Sequence, residues 1–253
     1  SEWQQPHRRR AATAHLFHQR SRAAAWPKCR AGRQVKAMIA AHNAMLSVAG
    51  RSVAGDEPEV LTDIYHDDCN IVVWQRQLAP ELQQEVSVLL QSNGSLQTSL
   101  SLSPQSAHGS ILRSIGGSAK LADDIAELVD MFCQLFETDV AGLRLTALEE
   151  PMCPRFHVDR VPCRLVTTYL GPATEWLPHH RVDRSRLGRG NDGRPDEHSG
   201  LYPDRRDVNQ ASSGEVLLLK GEGWEGNEGA GLVHRSPHIP AGGKRLLLTL
   251  DLI

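Results

Sequence analysis

The run CPRFHVDRVPCRLVTTYLGP, residues 153–172, decides how the C-terminal half of this chain is read. Its second part, Arg164 to Leu170, is a β-branched and apolar strand stopped by Gly171-Pro172. Arg155 to Asp159 reads as another short strand, and on extended backbone residues i and i+2 point to the same side. His157 and Asp159 can therefore serve one metal ion together. An H-x-D triplet alone is common, so the sequence around it has to supply the context.

Downstream, Leu143 to Leu148 alternates as a half-buried strand, and Glu215 to Leu219 is an apolar run after Gly214. A glycine-rich turn leads to Leu232-Val233-His234-Arg235-Ser236-Pro237, and Lys244 to Leu252 forms a final strand. His234 is the candidate third ligand, because it follows an apolar strand-like pair. His238 competes with it but lies between Pro237 and Pro240 in a turn. Upstream, the period is helical. Leu78 to Leu90 and Ser118 to Phe136 carry apolar residues at three- and four-residue spacing, with Ser118 placed to cap the second, and Val35 to Val48 repeats the pattern weakly. Asp67 to Trp74 reads as a short strand, and the Ser-, Gly- and Gln-rich stretch 91–118 as a flexible connection. The expected class is α+β, a helical N-terminal half packed on a C-terminal β-sandwich or barrel. Residues 1–55 form a basic extension, 56–142 a mainly helical segment, and 143–253 the β region. That region is interrupted at 179–209 by a charged insertion with little to bury, read as a lid or as disorder.

The order H-x-D, a distant His, and an Arg eleven residues beyond it resembles the Fe(II)- and 2-oxoglutarate-dependent dioxygenases. That resemblance implies a double-stranded β-helix, of jelly-roll or cupin-like form, over about residues 143–253. It implies His157, Asp159 and His234 as iron ligands, two imidazoles and one carboxylate leaving three cis positions open. It also implies Arg245 as the partner of the distal carboxylate of 2-oxoglutarate, helped by Thr168 or Tyr169. Arg164 and Glu175 are further candidates beside the ligands or the substrate. Many such enzymes carry Ser or Thr two residues after the Arg, where Leu247 stands here. More closely, the 153–172 run, His234-Arg235-Ser236-Pro237 and Arg245-Leu246-Leu247-Leu248-Thr249-Leu250-Asp251 resemble a bacterial family labelled only as a domain of unknown function. Members of that family are often encoded near zinc-homeostasis genes, so the resemblance also implies an alternative, a non-catalytic, cupin-like zinc-binding protein.

Other readings of the same residues remain. His157 could be a half-buried histidine and Asp159 an ion-pair partner of Arg160 or Arg164. Cys153, His157 and Cys163 could surround a structural zinc, though their spacing matches no common zinc module. There is no G-x-S-x-G elbow and no Walker-type loop, and Gly221-Glu222-Gly223-Trp224-Glu225-Gly226 lacks the lysine that would hold phosphate. Trp176 and Trp224 read as core.

Composition bounds the rest. Apolar residues make up 40% and charged residues 23%, as in soluble globular proteins, and no apolar run approaches the ~18 residues of a membrane span. Five cysteines make no disulfide framework, so a reducing, cytoplasmic setting is expected. Trp3 to Gly55 holds eight Arg, two Lys and no acid; with Glu2 the first 55 residues carry +9, leaving −11 on the remainder. That arm reads as a solvated tail, with a polyanion-binding arm or an organellar transit peptide as alternatives. The acidic body argues against nucleic acid as the main partner. The substrate, a small molecule or a protein, has no signature in the sequence, nor has the oligomeric state.

Overall fold

The computed structural model describes residues 50–253. The basic extension lies outside them apart from its last six residues, as does the helical pattern at 35–48. In chain order the elements are β1 (Arg51–Gly55), a 3₁₀ helix (Pro58–Tyr65), β2 (Cys69–Trp74), α1 (Pro80–Ser92), β3 (Gln97–Leu102), α2 (Pro104–Ser114), α3 (Ala119–Leu135) and β4 (Ala141–Leu148). Then follow β5 (Cys163–Leu170), β6 (Glu175–Leu177), five 3₁₀ turns between His179 and Asp207, β7 (Asn209–Gln210), β8 (Val216–Lys220), β9 (Val233–Arg235) and β10 (Arg245–Leu252). No helix among the described residues is long and apolar enough to cross a membrane.

Seven strands form one sheet in the order β1-β2-β8-β5-β10-β4-β3, antiparallel except for β1 on β2. Three form a second sheet, β7-β6-β9, which a single bridge between His234 and His157 extends by one residue pair. After β4 and β5 the chain enters the small sheet at β6 and β7, returns to the large sheet at β8, and crosses once more through β9 to β10. The large sheet is buried on both faces, which is why β8 and β10 read as nearly unbroken apolar runs. Period two then sorts their side chains: Val216, Leu218, Leu246, Leu248, Leu250, Leu165 and Tyr169 join the helices in one core. Leu217, Leu219, Leu247 and Val166 face the small sheet and pack with Trp176 and Leu232 in a second.

Residues 56–142, mainly helical, are not helical throughout, since β2 and β3 are built into the large sheet. Nor is 91–118 a flexible connection. Polar residues alternate with Thr98, Leu100 and Leu102 in β3, an edge strand, and Ala107, Ile111 and Ile115 bury α2. An edge strand needs few apolar residues, so composition hid it. Ser118 stands at the N-cap of α3 but makes no side-chain cap bond. Glu85 of α1 does that work, accepting the Lys120 and Leu121 N–H groups at 3.3 and 3.0 Å and tying the two helices together.

One buried polar network joins α3 to the large sheet. Arg76 donates to both oxygens of Asp124 at 2.7 and 3.0 Å, and the Tyr169 hydroxyl donates to the same carboxylate at 2.6 Å. Asp124→Ala leaves the largely buried Arg76 charge with only the Gly214 carbonyl, 2.9 Å from Nε, so a loss of about 3 kcal/mol in a urea unfolding curve is expected; under about 1 kcal/mol would mean the network does not hold the helix. Burial, and then the Asp124 charge, hold the Tyr169 phenol well above its ordinary value near 10. The folded state thus keeps a proton the unfolded chain gives up, and its stabilisation, complete below about pH 10, falls as pH rises further. A phenolate absorbance titration should show this tyrosine ionising only as the protein unfolds, and Tyr169→Phe should remove its share of the alkaline slope. Free titration of all three tyrosines in folded protein would contradict this.

Candidate metal centre

The site is assembled where the small sheet is barely a sheet. Arg155 to Asp159 is not a strand of its own; only His157 pairs, exchanging N–H···O bonds of 3.0 Å each way with His234 in the middle of β9. Asp159 is fixed from the other side. The turn after β8 donates the Glu222 N–H to the Asp159 carbonyl and the Gly221 N–H to the Pro162 carbonyl, both at 2.9 Å. Glycine is needed there, because a Cβ on Gly221 would sit 2.1 Å from the Val161 oxygen. The glycine-rich run is thus a cradle for the Asp159 segment.

His157, Asp159 and His234 each offer one ligand atom, and these atoms lie within 4.8 Å of one another; it is the one such group of three or more found among the described residues. His157 Nε2 is 3.8 Å from Asp159 Oδ1, and His234 Nε2 is 3.6 Å from Asp159 Oδ2. Each imidazole uses its other nitrogen on a backbone carbonyl: His157 Nδ1 on Arg155 at 2.9 Å, His234 Nδ1 on Leu232 at 3.2 Å. With Nδ1–H donating, both Nε2 lone pairs face Asp159, the arrangement a metal requires. Burial pushes His234 down to about 4, against the pull of Asp159, so it is neutral and able to bind a cation at ordinary pH.

The carboxylate is oriented in turn. Arg164 donates to Asp159 Oδ2 at 2.7 Å and to Asp251 at 2.6 and 3.1 Å, linking the ligand loop to the end of β10. The ion pair of Asp159 with Arg164 therefore coexists with the cluster. Asp251 went unread in the sequence, although an acid on a strand otherwise apolar was a signal.

Arg245 opens β10 on the same face as Leu247. It is 1% exposed, yet among the described residues its only partners are hydroxyls: Thr168 Oγ1 at 3.3 Å from Nε and 3.1 Å from Nη2, and Thr174 Oγ1 at 2.9 Å from Nη2. Nη1 has no partner among them. Burial alone pushes the group down to about 10, with no carboxylate to hold it up. The Gly171-Pro172 turn brings Thr168 and Thr174 to it: Gly171 has φ +88°, and a Cβ there would meet the Lys244 oxygen at 2.2 Å. Thr174 was not foreseen. Tyr169, next to Thr168, was, and that expectation fails. Alternation along β5 puts Tyr169 on the helix face, bonded to Asp124, and Thr168 on the Arg245 face.

Of the remaining candidates, His238 is exposed and outside the cluster. The Cys153–His157–Cys163 zinc reading also fails, since Cys163 is buried on the helix face of β5 while Cys153 is exposed. Glu175 is taken by Arg235 at 2.6 Å, Trp176 belongs to the core between the sheets, and Trp224 packs on Tyr65 and Phe136.

A family model described as "Protein of unknown function (DUF1826)" matches residues 55–251, nearly the whole described part. The chain belongs to the DUF1826 family. The family resemblance drawn from the 153–172 run thus holds. Comparison with curated proteins found no match. Among solved structures, this DUF1826 chain is similar to the rice dioxygenase for auxin oxidation, with TM-score 0.44 and 12% identity over 82% of this chain and 81% of that one. It is also similar to a Pseudomonas putida prolyl-4-hydroxylase, with TM-score 0.38 and 14% identity over 76% and 96%. A third is the full-length Neurospora crassa T7H in complex with alpha-KG, with TM-score 0.40 and 10% identity over 79% and 82%.

Proposed function

We propose that this DUF1826 protein is a non-haem Fe(II)- and 2-oxoglutarate-dependent dioxygenase built on a double-stranded β-helix. The observation that carries the proposal is the pairing of a His-Asp-His cluster with a buried, uncompensated arginine. Burying a guanidinium with no anion costs several kcal/mol, and proteins keep such a charge where a ligand completes it. The donor set fits the proposed ions: two imidazoles and one carboxylate suit Fe(II) with open positions, and a planar fork with a free N–H suits a carboxylate.

Iron(II) and 2-oxoglutarate, when bound, supply oxygen activation coupled to loss of CO₂ from the oxo acid. The chain's own residues do the holding. His157, Asp159 and His234 would present three donors on one side of the ion. Arg164 keeps Asp159 turned inward, and Thr168 and Thr174 hold the Arg245 fork level for the distal carboxylate. Leu247, Val166, Leu232 and Trp176 supply an apolar wall that limits stray water.

Metal analysis of protein purified without added metal, then oxygen uptake with and without 2-oxoglutarate, tests this reading. Iron that supports 2-oxoglutarate-dependent uptake is the expected result. Tightly held zinc with no uptake under iron reconstitution would overturn it in favour of a non-catalytic metal-binding protein.

A further inference from the structure

We infer that Asp196, delivered by the 179–209 insertion, is a positioning residue that sets the spacing of the two histidine ligands from behind the sheet. The inference rests on the metal centre proposed above. The insertion packs on the small sheet: Leu201, with Val182, Leu187, Tyr202 and Val208, lies against Phe156, Val158, Leu177 and Val233. By alternation those residues lie on the face of the small sheet opposite the His157, Asp159 and His234 side chains. The insertion is a backing layer.

At its centre sits a carboxylate only 4% exposed. Asp196 Oδ2 accepts the Phe156 N–H at 2.8 Å, and Oδ1 accepts Arg155 Nε at 2.8 Å. Arg155 in turn offers its carbonyl to His157 Nδ1. Asp196 Oδ2 also lies 3.7 Å from Nη1 of Arg235, the residue after His234, whose guanidinium covers the Phe156 ring at 4.3 Å. One buried carboxylate thus grips both ligand-bearing segments. The backbone bonding between them is slight, the His157–His234 pair and one bond from the Ser236 N–H to the Cys153 carbonyl at 2.9 Å.

The test is a cobalt(II) titration of the full chain, read by visible absorption and dissociation constant. Asp196→Asn is expected to weaken binding by about tenfold, within the range for groups that orient metal ligands, and to alter the spectrum. Asp207→Asn is the control: Asp207 lies in the same insertion, pairs with Arg181 at 2.7 Å and makes no bond to the ligand segments. Its cobalt affinity should match that of the unaltered chain. Unchanged affinity and spectrum in Asp196→Asn, or equal weakening in Asp207→Asn, would overturn the inference. Should Asp196→Asn fail to fold, Arg155→Gln at a side chain 45% exposed decides it, with about threefold weaker binding expected and no change contradicting. If cobalt binding survives His234→Ala, the metal centre itself is misplaced, a different outcome from Asp196→Asn binding normally.

Discussion

Arg245→Leu is expected to abolish 2-oxoglutarate binding while metal content stays at the level of the unaltered chain. The guanidinium is the cation facing Thr168 and Thr174, and removing the partner of a buried carboxylate costs about 3–5 kcal/mol, or roughly two to four orders of magnitude in affinity. The same substitution should not destabilise the free protein. An unpaired buried charge replaced by an apolar side chain of similar reach typically leaves stability unchanged or higher by about 1–4 kcal/mol. Lost binding with preserved or raised stability separates a ligand-binding arginine from a structural one. Loss of metal, or collapse of the fold, would show that Arg245 serves another purpose.

His234→Ala is expected to empty the metal site, taking bound metal from about one ion per chain to about none. Two donors remain, His157 on a segment held by one bridge and Asp159 already committed in part to Arg164. His238→Ala, four residues on and exposed, should keep full metal content. The reverse result, metal lost only with His238, would dismantle the cluster as drawn. Metal retained in both would place the ion elsewhere.

Much of this arrangement was legible in the residues. The H-x-D triplet, the late histidine and the arginine eleven positions on were readable because each sits on or beside a strand whose apolar pattern fixes its face. The strands β5, β8 and β10 and the helices α1 and α3 were readable for the same reason. What escaped were features set by tertiary contact. β3 is an edge strand, so it needed no strong apolar pattern of its own. Thr174, Asp251 and Asp196 act through partners 71, 87 and 40 positions away, distances over which sequence spacing carries no signal. Tyr169 was assigned to the wrong side of the sheet because it neighbours Thr168; strict alternation along β5 would have separated them. The insertion looked unburied because its charges outnumber its apolar residues, yet Leu201 and Asp196 are among the most buried groups near the site.

The most direct measurement is anaerobic calorimetry of 2-oxoglutarate binding to the chain with and without iron(II). The proposed convergence of His157, Asp159, His234 and Arg245 on one ligand predicts a single binding event per chain that needs both the metal and Arg245. Absence of binding to the iron-loaded protein, or binding of equal strength with the metal removed, would contradict it.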